Sequence, residues 1–204
     1  MVYPIVKYGD AVLEREAEEV TDFDTPELHT FLEDMFDSMY AAKGVGLAAP
    51  QIGFSRKIAV IDISNAENPA DKLVLINPRI LRVEGKQEGE EGCLSIPGFR
   101  EQVKRGKRAT VHAQNAKGEP FEMTGEDLLA RAILHETDHL YGKLYIGHIS
   151  ALKRDLIRRK YFEEESVRQI AGDCDATEKS VESRLVRIRR KLRELVLTQL
   201  KHER

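Results

Sequence analysis

The chain has 204 residues, 32 Lys and Arg against 35 Asp and Glu, and a formal net charge of −3. With 41% hydrophobic and 33% charged residues it has the material for the buried core of one medium domain plus an appendage, which excludes a disordered or fibrous chain. Two cysteines are too few for a disulfide framework, no apolar run approaches the ~18 residues of a membrane span, and MVYPIVKYGDAVL lacks the pattern of a secretory signal, so a reducing, cytoplasmic setting without membrane contact is expected. The charge is unevenly spread. Residues 1–152 carry 17 Lys and Arg against 25 Asp and Glu, a net of −8, while residues 153–204 carry 15 against 10, a net of +5. A polyanion would therefore meet the tail first, although a solvated helical appendage has the same composition.

In chain order, residues 26–41 open with Pro and place Leu28, Leu32, Met35, Phe36 and Met39 at three- and four-residue spacing, which predicts an amphipathic helix. Three glycines from Gly44 to Gly53 predict a loop with close backbone approaches. KIAVIDI (57–63) and KLVLINP (72–78) read as strands, and residues 107–125 alternate like a hairpin turning at Lys117-Gly118. A second helix is predicted over 126–141, with a capping box from Thr124 to Asp127 and a stop at Gly142. From Ser150 onward the pattern is helical. Strands first and helices after predict an α+β fold.

The chemistry concentrates in His135-Glu136-Thr137-Asp138-His139. Histidines at i and i+4 lie on one helix face, where both can reach a single metal ion with Glu136 beside it as a base. Two satisfied histidines on a half-buried helix are the plainer alternative. A metal site of this type needs a third protein ligand. Downstream, Tyr145 stands where an HExxHxxGxxH protease would carry histidine, and His148 lies three residues too far along. Upstream, Cys93 offers a thiolate, or else a small buried apolar side chain.

GVGLAAPQ (44–51), EGCLS (91–95) and HETDH (135–139), in this order and with these gaps, resemble the peptide deformylases over about residues 1–160. The resemblance implies that fold, with antiparallel sheets around a central metal-binding helix, and removal of the formyl group from the N-terminal formyl-methionine of nascent polypeptides. It implies Cys93, His135 and His139 as metal ligands, with ferrous iron preferred and zinc, nickel or cobalt able to replace it. Glu136 would be the general base and acid. Gln51 and the Leu94 N–H would bind the formyl oxygen, and Gly46 would touch substrate through its backbone. Arg100 resembles a cleft arginine or is an ordinary surface cation. Val45 and Leu128 line the methionine pocket or belong to the core, and Asp138 supports the metal site or is a solvated charge.

Two features depart from the family. Leu134 stands where glutamine usually precedes the first histidine. The chain also continues past the expected end, and residues 170–195 resemble the helix-turn-helix of sigma-factor region four, with Asp175 in place of the turn glycine. Val181, Leu185, Ile188, Leu192 and Leu195 form an apolar seam, opposite Arg184, Arg187, Arg190, Lys191 and Arg193. Three readings of this tail stay open: a ribosome or RNA contact, a structural or dimerising helix, and DNA binding. The expected division is a catalytic domain at 1–160 and a helical extension at 161–204, with Cys174 structural.

Overall fold

The computed structural model describes residues 1–64, 66–145, 155–156, 159, 163, 165–174 and 176–186. Helix α1 (Pro26–Ala41) begins where the sequence predicts: Pro26 is its first residue, and the Thr25 hydroxyl accepts from the Leu28 N–H at 3.1 Å. Seven strands follow: β1 (Gly46–Ala48), β2 (Ile58–Ile61), β3 (Leu73–Glu84), β4 (Gln87–Cys93), β5 (Ile96–Arg105), β6 (Arg108–Gln114) and β7 (Pro120–Glu126). Helix α2 (Asp127–Leu140) comes next. Five strands form an antiparallel sheet in the order β1-β2-β3-β6-β7, and β4 and β5 form a separate antiparallel hairpin.

The five-stranded sheet lies between the two helices. Ile58 and Val60 of β2 pack with Leu32, Met35 and Met39 of α1, while Ala59 and Ile61 pack with Ala132, Ile133 and Leu140 of α2. A strand covered on both faces is apolar at every position, which is why this segment does not alternate. Met35 is fully buried in this core, and truncating such a side chain to alanine costs about 2–5 kcal/mol.

The 107–125 hairpin folds as expected, with Gly118 at φ +80 in its turn. Other elements differ. The expected loop after Gly44 contains β1 and a 3-10 helix, Ala49–Ile52. Strand β3 runs six residues beyond the predicted 78, carried past Pro78 by irregularities between Ile76 and Arg79 and between Ile80 and Arg82. The capping box at Thr124 is absent, because Thr124 lies in β7 and its hydroxyl pairs with that of Thr110 at 2.9 Å. Helix α2 instead starts after Glu126 without a side-chain cap, and Gly142 at φ +65 ends it as predicted.

In the tail, helix α3 (Val167–Asp173) and a helical stretch at 178–186 flank a turn. Ser166 caps α3 and Thr177 caps the second stretch, its hydroxyl accepting from the Ser180 N–H at 3.2 Å. Leu156, Ile170, Ala171, Val181 and Leu185 form a small core, with Cys174 packed against it. The described part follows the helix-turn-helix pattern expected from the sequence, whose turn residue Asp175 and second helix beyond Val186 lie outside the described residues. Most of 150–160, His148 and the basic run from Arg187 lie outside the described residues.

Candidate metal centre

Helix α2 carries His135 and His139 on one face, their rings 5.0 Å apart, and β4 ends on Cys93 beside them. One ligand atom from each of the three buried side chains lies within 4.8 Å of the others, and Cys93 Sγ is 3.2 Å from His139 Nε2. Thiolate and imidazole donors around one tetrahedral ion sit roughly 3.5 Å apart, so a divalent metal fits this set. Tyr145 is buried against the His135 ring at 5.8 Å, as packing rather than as a ligand.

The candidate ligands are held by a buried charge network that the motifs do not reveal. Glu91 accepts from His135 Nδ1 at 3.1 Å, which leaves Nε2 of that ring for the ion. The same carboxylate accepts from Arg105 at 2.9 and 3.1 Å and from Arg131 at 2.7 Å. Arg105 also reaches Asp138 at 2.5 Å, so Asp138 pairs with a cation and is not merely solvated. Burial opposes ionisation of Glu91, but hydrogen bonds from His135 and Arg105 outweigh it and hold its pKa down to about 2.

Glu136 has the opposite environment. Burial, reinforced by the charge of Glu91, pushes its pKa up to about 7 against the pull of His135 and Arg105. Its Oε2 has no hydrogen-bond partner among the described residues. Space for it comes from Gly46, where a Cβ would collide with Glu136 Oε1 and lie 2.8 Å from its carboxyl carbon. Gln51 is fixed by the Ala48 N–H, which donates to Oε1 at 2.8 Å and turns the amide nitrogen toward Cys93 Sγ at 3.4 Å. Leu94 follows Cys93 at the turn of the β4–β5 hairpin. The N-terminal segment pins both loops, through Val6 N–H to Gln51 O at 2.8 Å and Tyr8 N–H to Ser95 O at 2.9 Å.

The family model for polypeptide deformylase matches residues 2–155. The chain belongs to the peptide deformylase family. It is 59% identical over 160 residues to a peptide deformylase of Acidobacterium capsulatum, covering 78% of this chain and 94% of that protein. The crystal structure of a peptide deformylase from Legionella pneumophila superposes with a TM-score of 0.73 at 46% identity, covering 78% of this chain and 93% of that one. A Met-Ala-Ser-bound peptide deformylase from Acinetobacter baumannii gives a TM-score of 0.68 at 32% identity, covering 73% and 99%. A second family model, sigma-70 region 4, matches residues 144–192. The reaction is therefore the metal-dependent hydrolysis of the formyl group from N-terminal formyl-methionine of newly synthesised polypeptides, with release of formate.

A cavity of about 620 Å³ opens onto the deformylase site and is lined by Gly46, Gln51, Cys93, Leu94, His135 and Glu136. Val45 and Leu128, which the sequence leaves between pocket and core, are 40% and 49% exposed and line this cavity; neither is core. Arg100 lies at the same cavity, its guanidinium 3.9 Å from Glu90. Sequence reasoning missed Glu91, Arg105 and Arg131. A signal was present in β5, where Glu101, Val103 and Arg105 alternate with exposed residues, so that charged side chains share the buried face of the strand.

Proposed function

We propose that Cys93, His135 and His139 hold one metal ion, physiologically ferrous iron, with zinc, nickel or cobalt able to take its place. The observation that carries this reading is the convergence of one cysteine sulfur and two imidazoles beside a buried carboxylate oxygen with no hydrogen-bond partner among the described residues. When bound, such an ion supplies Lewis acidity and lowers the pKa of water toward about 7. Glu136, whose burial favours the protonated form, takes a proton from the attacking water and returns it to the departing amine. Negative charge grows on the formyl oxygen, and the Gln51 amide and Leu94 N–H are the donors for it; one such donor is worth roughly 3–4 kcal/mol in the transition state. Gly46 contributes room for Glu136 and a backbone face to the cleft. Val45 and Leu128 offer apolar walls to the methionine side chain, and Arg100 meets the peptide beyond it.

The proposed division is a catalytic domain at 1–160 and an extension at 161–204, with Leu156 packing into the extension's core. Work on nascent chains and an oxidation-sensitive metal suit the cytoplasm. Among the described residues no helix is long and apolar enough to cross a membrane. The net +5 of residues 153–204 favours a nucleic-acid contact, and for an enzyme acting on nascent chains the ribosome is the polyanion at hand.

The test of the metal reading is anaerobic purification, chelation, and reloading with each ion in turn. One ion per chain, highest turnover with iron and loss of binding in Cys93→Ser are expected. Stoichiometric metal in Cys93→Ser would contradict the ligand set.

A further inference from the structure

We propose that Arg131 is a positioning residue that seats the Cys93-bearing hairpin on the histidine-bearing helix and so sets the shape of the metal site. The inference rests on the ligand set proposed above. The site draws on two separate bodies, because His135 and His139 stand on α2 while Cys93 ends β4, whose hairpin forms no backbone pairing with the five-stranded sheet among the described residues. Beyond the chain connections at its ends and the Tyr8 N–H to Ser95 O bond at its turn, side chains fix the position of Cys93 Sγ relative to the imidazoles.

Arg131 is placed for this task. It lies four residues before His135 and eight before His139, on the same face of α2. Its Nη1 donates to Glu91 Oε1 at 2.7 Å, to Val103 O at 3.2 Å and to Gly89 O at 3.3 Å, and Nη2 reaches Gln87 Oε1 at 3.4 Å. One guanidinium thus grips three residues of β4 and one of β5. The side chain is buried, and its bonds to Glu91 and Val103 form away from water. Gly89 is part of the fitting: a Cβ there would lie 2.9 Å from Arg131 Nη2. Through Glu91, the same grip reaches the carboxylate that orients His135.

A lysine ammonium supplies a charge but not this planar fork, so Arg131→Lys restores the link only in part. Arg131→Met keeps an unbranched apolar stem beside the cavity and removes the grip. Outer residues that orient metal ligands change metal affinity or activity by about 10–100-fold when lost.

The experiment uses the full chain loaded with cobalt, comparing wild type, Arg131→Met, Arg131→Lys and Gly89→Ala. It reads the thiolate-to-cobalt absorption, the rate of cobalt release to a chelator, and kcat and KM for formyl-Met-Ala-Ser. The expected result is an altered absorption and about 10–100-fold weaker cobalt retention in Arg131→Met, with kcat lowered and KM within about twofold. Arg131→Lys falls between, and Gly89→Ala shifts the absorption in the same direction with the arginine still present. Wild-type absorption and release in Arg131→Met would overturn the proposal, even if KM rose, since Arg131 would then merely line the cavity. If Arg131→Met does not fold, unchanged absorption in Gly89→Ala overturns it. A wild-type chain without thiolate-to-cobalt absorption would overturn the ligand set itself, and this inference with it.

Discussion

In the body of the molecule, Cys93 meets His139 across 46 residues and Glu91 meets His135 across 44, whereas in the tail Ile170, Ala171, Val181 and Leu185 meet within a single helix-turn-helix. The body builds its site from long-range convergence of a loop, a hairpin and a helix, each fixed by buried hydrogen bonds. The tail builds a small apolar core from neighbours in sequence. A short motif carries chemistry in the first case because the rest of the fold delivers the partners, and changes far from the motif are felt there. In the second case the unit can be altered locally. The body should therefore fail through single polar contacts and the tail should be separable from catalysis.

After loss of Glu136 itself, the largest effect on the body is expected from Gln51→Ala, which removes one proposed donor for the formyl oxygen. A fall of about 10²–10³ in kcat/KM with metal content unchanged is expected from steady-state kinetics and metal analysis. The acid stability of the network follows from Glu91. Its pKa of about 2 lies below the unfolded value of 4.5, so its contribution is full above pH 4.5, shrinks as pH falls toward 2 and is absent below. The difference corresponds to about 3 kcal/mol. Urea unfolding of wild type and Glu91→Gln between pH 7 and 3 should show the wild type keeping its advantage down to about pH 4.5 and losing part of it by pH 3; parallel curves would remove Glu91 from the account.

Gly46→Ala sharpens the comparison with a single methyl group. Its Cβ would collide with the Glu136 carboxylate, and overpacking of this kind costs about 1–3 kcal/mol, read as a lower Tm together with lower kcat. The smallest effect on catalysis is expected in the tail. Replacing Arg187, Arg190, Lys191 and Arg193 by Glu should leave kcat/KM within about twofold while abolishing salt-sensitive co-sedimentation with ribosomes. Co-sedimentation that survives these changes would exclude a polyanion contact through the basic face.

Much of the body was legible in the sequence. Helices α1 and α2 announce themselves by apolar spacing, and the hairpin at 107–125 by alternation and its Gly118 turn. Two of the proposed metal ligands were legible because His135 and His139 have a helical spacing that few other roles require. The β4–β5 hairpin was not, since QEGEEGC offers no apolar face; its inward positions include Glu91 and Gly89, which admits Arg131. For the same reason Glu91, Arg105 and Arg131 passed as three among many charges in a chain that is 33% charged. Their burial depends on one another, so no one of them signals it alone. The capping box failed for a related reason: Thr124 found a partner across the sheet in Thr110 before the helix began.

The central claim, that Glu136 drives formyl hydrolysis beside a metal held by Cys93, His135 and His139, is tested most directly by formate release from formyl-Met-Ala-Ser. Iron-loaded wild type and Glu136→Ala are compared anaerobically, with metal counted in both. The account predicts robust turnover in the wild type and a loss of about 10²–10⁴ in the variant at equal metal content. Equal turnover in the two proteins, or none in a fully metallated wild type, would contradict it.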